Sequence, residues 1–282
     1  MSDDSADMPL DAPVRRKVLY WRADGKVESR EDDLAREDPL EIRVRGRSFS
    51  LTMRTPGQDE ELVAGFLLGE GLIRRREDLI RIEPCDRNEQ GHIINAVLAP
   101  EVAVDFEQYT RHTFASSSCG LCGKASIDAV RRQFPHLESK VDVESGVLLK
   151  LPERMGRAQA DFHRTGGLHA AALFDATGRL LVIREDIGRH NAVDKVLGYA
   201  LLKLQLPLND LILLVSGRLS FEILQKSLAG GVPILAAVSA PSTLAAEFAQ
   251  QSGQTLIGFL RDQRMNVYTH PQRVRFEAGS SL

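Results

Sequence analysis

The sequence predicts an α/β protein, with an N-terminal α+β subdomain built on hairpins and a larger C-terminal α/β domain around a mixed sheet. From residue 168 onward, short all-apolar runs alternate with helical patterns, which is the arrangement of a parallel or mixed sheet covered on both faces. Before residue 100, segments of strand character are joined by Gly-containing turns, which read as hairpins. A chain of 282 residues holds one large domain or two modest ones and buries a substantial core without disulfides.

Each element follows from its pattern. Residues 1–14 carry Asp3, Asp4, Asp7 and Asp11 without a basic or apolar run, so they read as a disordered tail and not as a secretory signal. Strands over 17–21 and from Val27 onward flank a turn at 23–26. A second hairpin joins 40–44 to 48–53 across Arg45-Gly46. Pro56-Gly57 precedes a helix over 59–69, with an acidic first turn and with Leu62, Phe66 and Leu67 on one face. Strands over 79–82 and 92–98 complete a subdomain spanning 15–110. A flexible loop over 111–123 follows, and the second domain covers 124–282. There the pattern gives a hairpin (168–174 and 180–184), then a long helix marked by Val193, Val196, Leu197, Ala200, Leu201 and Leu204. Strands over 211–215, 232–238 and 255–260 then alternate with helices over 220–229 and 242–251.

Composition narrows the function. Apolar residues make up 43 % and charged residues 27 %, a globular balance, and the net charge of −3 argues against bulk nucleic-acid binding. The most apolar stretches, 211–215 and 232–238, fall far short of the roughly 20 residues that cross a bilayer, so no membrane association is expected and the location reads as cytoplasmic. The three cysteines are Cys85, Cys119 and Cys122. An odd, sparse set points to thiol or metal chemistry and not to a disulfide framework. Cys85, beside Pro84 at a strand end, reads as structural.

The sharpest chemistry lies in Ser116-Ser-Ser-Cys119-Gly-Leu-Cys122-Gly-Lys124. Ile127, Val130 and Phe134 place a helix start near Cys122. A thiol at such a start faces unpaired N–H groups that lower its pKa and favour the thiolate. Cys119, on the loop side, reads as the more reactive of the two. A zinc site competes with this reading, but zinc takes about four ligands and the pair supplies two. A thioredoxin-like pair would follow the first strand of a βαβ unit, which this pair does not. A nucleobase deaminase would show H-x-E and P-C-x-x-C, whereas Ala171 and Ser118 stand where the glutamate and proline belong.

A second constellation gathers at strand ends. Ser216-Gly217-Arg218, the run from Ser239 to Thr243, and the stretch after Gly258 each follow an apolar strand, where loops and helix starts collect anions in α/β sheets. Arg218, Arg261 and Arg264 supply charge, and Phe259 or Tyr268 could stack on a base. Ordinary turn chemistry explains any one of these loops equally well. Neither a Walker A motif nor a dinucleotide G-x-G-x-x-G is present. His169 and His190 could handle protons, or could satisfy core hydrogen bonds while Asp186 or Asn191 caps the long helix.

Taken together, the Cys119–Cys122 motif, Thr165-Gly-Gly-Leu-His169-Ala-Ala, Arg184-Glu-Asp-Ile-Gly-Arg-His-Asn-Ala-Val-Asp-Lys195 and Ser216-Gly-Arg218 resemble the formate dehydrogenase accessory sulfurtransferase family. The likeness runs from about Val18 to Val274. It implies a sulfur carrier that accepts sulfur from a cysteine desulfurase as a persulfide on Cys119 and passes it to the molybdenum cofactor before insertion into formate dehydrogenase. It also implies a cytidine-deaminase-like second half without the zinc ligands, hence no metal of its own, and a homodimer. The cargo would be molybdopterin guanine dinucleotide, bound by a loop corresponding to Phe259, Leu260, Arg261, Asp262, Gln263 and Arg264. Ser216, Gly217, Arg218 and His169 are the further candidate contacts, and Cys122 would assist at the thiol. A non-catalytic cofactor chaperone, a zinc-binding module and a thiol-disulfide oxidoreductase are the alternatives.

Overall fold

A computed structural model describes residues 13–85, 92–106, 134 and 136–276. The chain opens with a hairpin of β1 (Val14–Trp21) and β2 (Val27–Leu34), a two-stranded sheet of its own. Next come β3 (Asp38–Val44), β4 (Arg47–Arg54), α1 (Asp59–Gly69), β5 (Leu79–Pro84) and β6 (Ile93–Leu98). These four strands form a sheet in the order β4-β3-β6-β5, with β3 and β6 parallel. The loop with Cys119 and Cys122, and the helix expected after it, lie outside the described residues.

The second half begins with β7 (Val143–Glu144), α2 (Ser145–Ala158) and α3 (Ala160–Thr165). It continues through β8 (His169–Asp175), β9 (Leu180–Asp186), α4 (Arg189–Lys203), β10 (Leu211–Val215), α5 (Phe221–Ala229) and β11 (Ile234–Ala237). After these come α6 (Thr243–Ser252), β12 (Thr255–Arg261), β13 (Arg264–Thr269) and β14 (Val274–Arg275), the last paired with β7. Six strands form a mixed sheet in the order β13-β12-β11-β10-β8-β9, in which β10, β11 and β12 are parallel. β8, β9 and β13 run antiparallel to their neighbours.

The sheet is covered on both faces, as its all-apolar strands require. One face packs Leu213, Val215 and Leu235 with Val196, Leu224 and Phe248 of α4, α5 and α6. The other packs Ile212, Leu214 and Ile257 with Leu148, Leu151 and Met155 of α2. Side chains of β3, β6 and α1 belong to the first of these clusters, so a continuous core links the two halves.

α1 and α4 cross at backbone distance. A Cβ added at Gly65 would lie 1.8 Å from the Asp194 carbonyl oxygen, and one at Gly198 would lie 1.8 Å from that of Glu61. Only glycine fits at either position. This contact corrects the one-sided reading of α1: Leu62, Val63, Ala64, Leu67 and Leu68 are all buried, because α1 is enclosed by the four-stranded sheet, α4 and α5. The sequence pattern marks neither α2 and β13 nor the short β7, α3 and β14. Pro152, Gly146 and Gly156 weaken the helical signal of α2, and β13 alternates in exposure and so carries no apolar run.

Candidate functional site

The C-terminal ends of β10, β11 and β12 lie along one edge of the six-stranded sheet, and α5 and α6 start there. β8 runs the other way, so His169 opens it at this same edge. β9 ends opposite, with His169 paired to Asp186, and α4 starts just beyond. Topology thus gathers every described candidate residue along one rim: His169 and Ser216 to Arg218 at β8 and β10, and Phe259 to Arg264 at β12 and β13.

At the first position Ser216 is tied to β8 twice. Its Oγ accepts the Ala170 N–H at 2.9 Å and its own N–H donates to the Ala170 carbonyl at 2.9 Å. Gly217 is buried between the stem of Arg189 and His169: the place a Cβ would occupy lies 3.5 Å from Arg189 Cδ and 3.6 Å from His169 Nδ1. Arg218 is exposed. Burial holds the His169 pKa below the ordinary histidine value, and the Arg189 charge adds to that effect. His190 contacts Glu222 at 2.9 Å and Ser220 Oγ at 3.3 Å, a partnership consistent with its structural reading.

The neighbouring loops are joined by main-chain bonds. Leu219 N–H donates to the Ala240 carbonyl, Ser242 N–H to that of Leu219, and Phe259 N–H to that of Ser239. Phe259 to Arg264, expected as a loop, is instead a hairpin: β12 ends at Arg261, Asp262 and Gln263 turn, and Arg264 opens β13. The turn residues have φ of 52° and 55°, the geometry of a tight two-residue hairpin, which Asp tolerates. Phe259, with φ of 51°, lies where the β12–β13 register shifts. The Arg261 guanidinium lies 5.7 Å from the Phe259 ring, while Arg261 and Arg264 flank Asp262 at 3.8 and 3.9 Å. Arg261, Asp262, Gln263 and Arg264 are exposed, whereas the Leu260 side chain is fully buried among Ile257 and its neighbours. Leu260 therefore has only its main chain to offer a ligand.

The long helix is capped differently from expectation. Gly188 is its N-cap, with no side-chain cap, and Asn191 lies within the helix. Asp186 instead accepts from Gly188 N–H, Asn191 Nδ2 and Thr55 N–H, and pairs with Lys195 Nζ at 2.9 Å. Both charged side chains are fully buried, and Lys195 also donates to the Thr55 carbonyl. This network ties the β4–α1 connection to the start of α4, which sets the rim. Sequence reasoning missed it, although Asp194 and Lys195 set between the core-facing positions Val193 and Val196 were the available signal. Among the described residues no group of three or more His, Cys, Asp or Glu side chains is placed to hold a metal ion. No described helix is long and apolar enough to cross a membrane.

A family model for the FdhD/NarQ family matches residues 35–275. The chain belongs to the FdhD/NarQ family. FdhD/NarQ relatives named sulfur carrier protein FdhD include one from Mycobacterium tuberculosis, 48 % identical over 273 residues, covering 93 % of this chain and 99 % of its own length. The Sulfolobus acidocaldarius protein of the same name is 42 % identical over 261 residues, covering 93 % and 98 %. A crystal structure from Desulfotalea psychrophila, assigned as a formate dehydrogenase accessory protein, superposes with a TM-score of 0.74 at 26 % identity, covering 94 % of this chain and all of that one. The FdhD/NarQ match therefore spans both halves of the fold and the whole rim.

Proposed function

We propose that this protein is a sulfur carrier, a sulfurtransferase that matures the molybdenum cofactor for formate dehydrogenase through a cysteine persulfide. The observation that carries this reading is the near full-length match, at 48 % identity, to proteins named sulfur carrier protein FdhD. Cys119 is the proposed sulfur acceptor. Its thiolate attacks the outer sulfur of a cysteine desulfurase persulfide, forming a new S–S bond while the donor leaves as a thiolate. The Cys122 thiolate then attacks the Cys119 sulfur of the persulfide, closing a Cys119–Cys122 disulfide as the outer sulfur leaves as hydrosulfide toward the cofactor, and a cellular thiol reductant reopens the disulfide. The cargo is molybdopterin guanine dinucleotide, held along the rim by His169, Ser216, Gly217, Arg218 and the Phe259–Arg264 hairpin. Three helix starts and several arginines on one edge suit a phosphate-bearing ligand. The cytidine-deaminase-like assignment of the second half, the division near residue 110, a cytoplasmic location and a homodimer belong to the same proposal. The mixed six-stranded sheet covered on both faces supports the first of these.

Intact-mass analysis after incubation with desulfurase and cysteine tests the acceptor. Wild type is expected to gain a mass of one sulfur, about 32 Da, that dithiothreitol removes, and Cys119→Ala to gain none. Undiminished labelling of Cys119→Ala would overturn the assignment.

A further inference from the structure

Arg189 stands at the start of α4 with its stem against the Gly217 turn and beside His169. Its Nε is buried and has no hydrogen-bond partner, and among the described residues no carboxylate pairs with its guanidinium. The acidic side chains tied to the start of α4 are committed elsewhere. Asp186 is satisfied by Lys195, Thr55, Gly188 and Asn191, and Glu222 by His190. The Nε hydrogen has been taken out of water without gaining a protein partner in the described fold. A ligand anion would supply one, and the planar fork of a guanidinium matches two phosphate oxygens at once. Burial and Arg189 itself shift the neighbouring His169 toward its neutral form.

Distance along the rim sets which part of a ligand meets Arg189. β12 lies two strand spacings from β10 and three from β8, about 10 and 14 Å, so the Arg189 end and the aromatic and cationic hairpin at Phe259–Arg264 are separate subsites. We infer that Arg189 is an anchoring ligand for the pyrophosphate of the guanine dinucleotide, whose nucleoside end lies toward the Phe259–Arg264 hairpin. This rests on the cofactor reading above and assigns the phosphate contact to a residue outside the candidate set drawn from the sequence.

Calorimetric titration with GDP, guanosine and inorganic pyrophosphate, on wild type, Arg189→Gln and Arg189→Lys, tests the inference. Loss of one charge-assisted phosphate contact is expected to weaken GDP and pyrophosphate about 10- to 100-fold in Arg189→Gln, with partial recovery in Arg189→Lys and guanosine unchanged. Equal GDP affinity in wild type and Arg189→Gln, or wild-type GDP binding no tighter than guanosine, overturns the role of Arg189 and leaves the cofactor reading standing. Wild type that binds neither GDP nor pyrophosphate overturns both. Should the variants fail to fold, phenylglyoxal modification of wild type read by peptide mass replaces them: pyrophosphate is expected to protect Arg189, and unprotected Arg189 overturns the inference.

Discussion

Asp175 closes the turn between β8 and β9 by accepting from Thr177 N–H and Oγ1 and from Arg179 N–H and Nε, at 2.6 to 3.0 Å. Burial favours its neutral form, yet these donors together outweigh burial and bring its pKa down to about 2. A carboxylate depressed in the folded state contributes stability above its unfolded pKa, near 3.9, and that contribution is lost as pH falls through about 2. Asp175→Asn is therefore expected to lower Tm at pH 6, with the gap to wild type narrowing between pH 4 and 2. A pH-independent gap in melting curves would refute it. The turn itself was legible, since Asp-Ala-Thr-Gly between two apolar runs states its own chemistry. The Asp186–Lys195 pair was not, because a buried charge pair arises from tertiary contact with Thr55, 131 residues before Asp186.

At the scale of elements, the close crossing of α1 and α4 carries a sharp expectation. A methyl group at residue 198 would meet the Glu61 carbonyl at 1.8 Å, so the helices must separate to admit it. Gly198→Ala is expected to destabilise the protein by about 1–3 kcal/mol or more, the usual cost of overpacking, despite the higher helix propensity of alanine. Urea denaturation checks this, and a stabilised variant would mean that the crossing is looser than the backbone distances imply. Among the elements, strands of unbroken apolar residues and helices with clean periodicity were readable, as at β10, β12 and α4. What escaped was α2, where Pro152 interrupts the pattern, and β13, whose half-exposed side chains follow no apolar run. The rim could be assembled from sequence only as a list of loops. Their alignment on one edge depends on the direction of β8, which pairing with β10 decides.

For the molecule as a whole, the core cluster that joins Leu40, Ile42 and Leu62 to Val193, Leu213 and Phe248 makes the two halves mutually dependent. Circular dichroism and urea titration are expected to show one cooperative transition, and a fragment ending at residue 106 to remain unfolded, because α1 would lose the α4 surface that encloses it. Two resolved transitions would refute that coupling. The β1–β2 hairpin stands apart from this arrangement. None of its residues joins either core cluster, and Arg164 reaches Asp33 near its base. Trp21, the sole tryptophan, sits beside the tip and is 67 % exposed. Intrinsic fluorescence is consequently a reporter of this arm and not of the interior. Its emission is expected to be that of a hydrated indole already in the native protein and to change little while the core melts, and a blue shift on mixing with another macromolecule would mark contact at the arm.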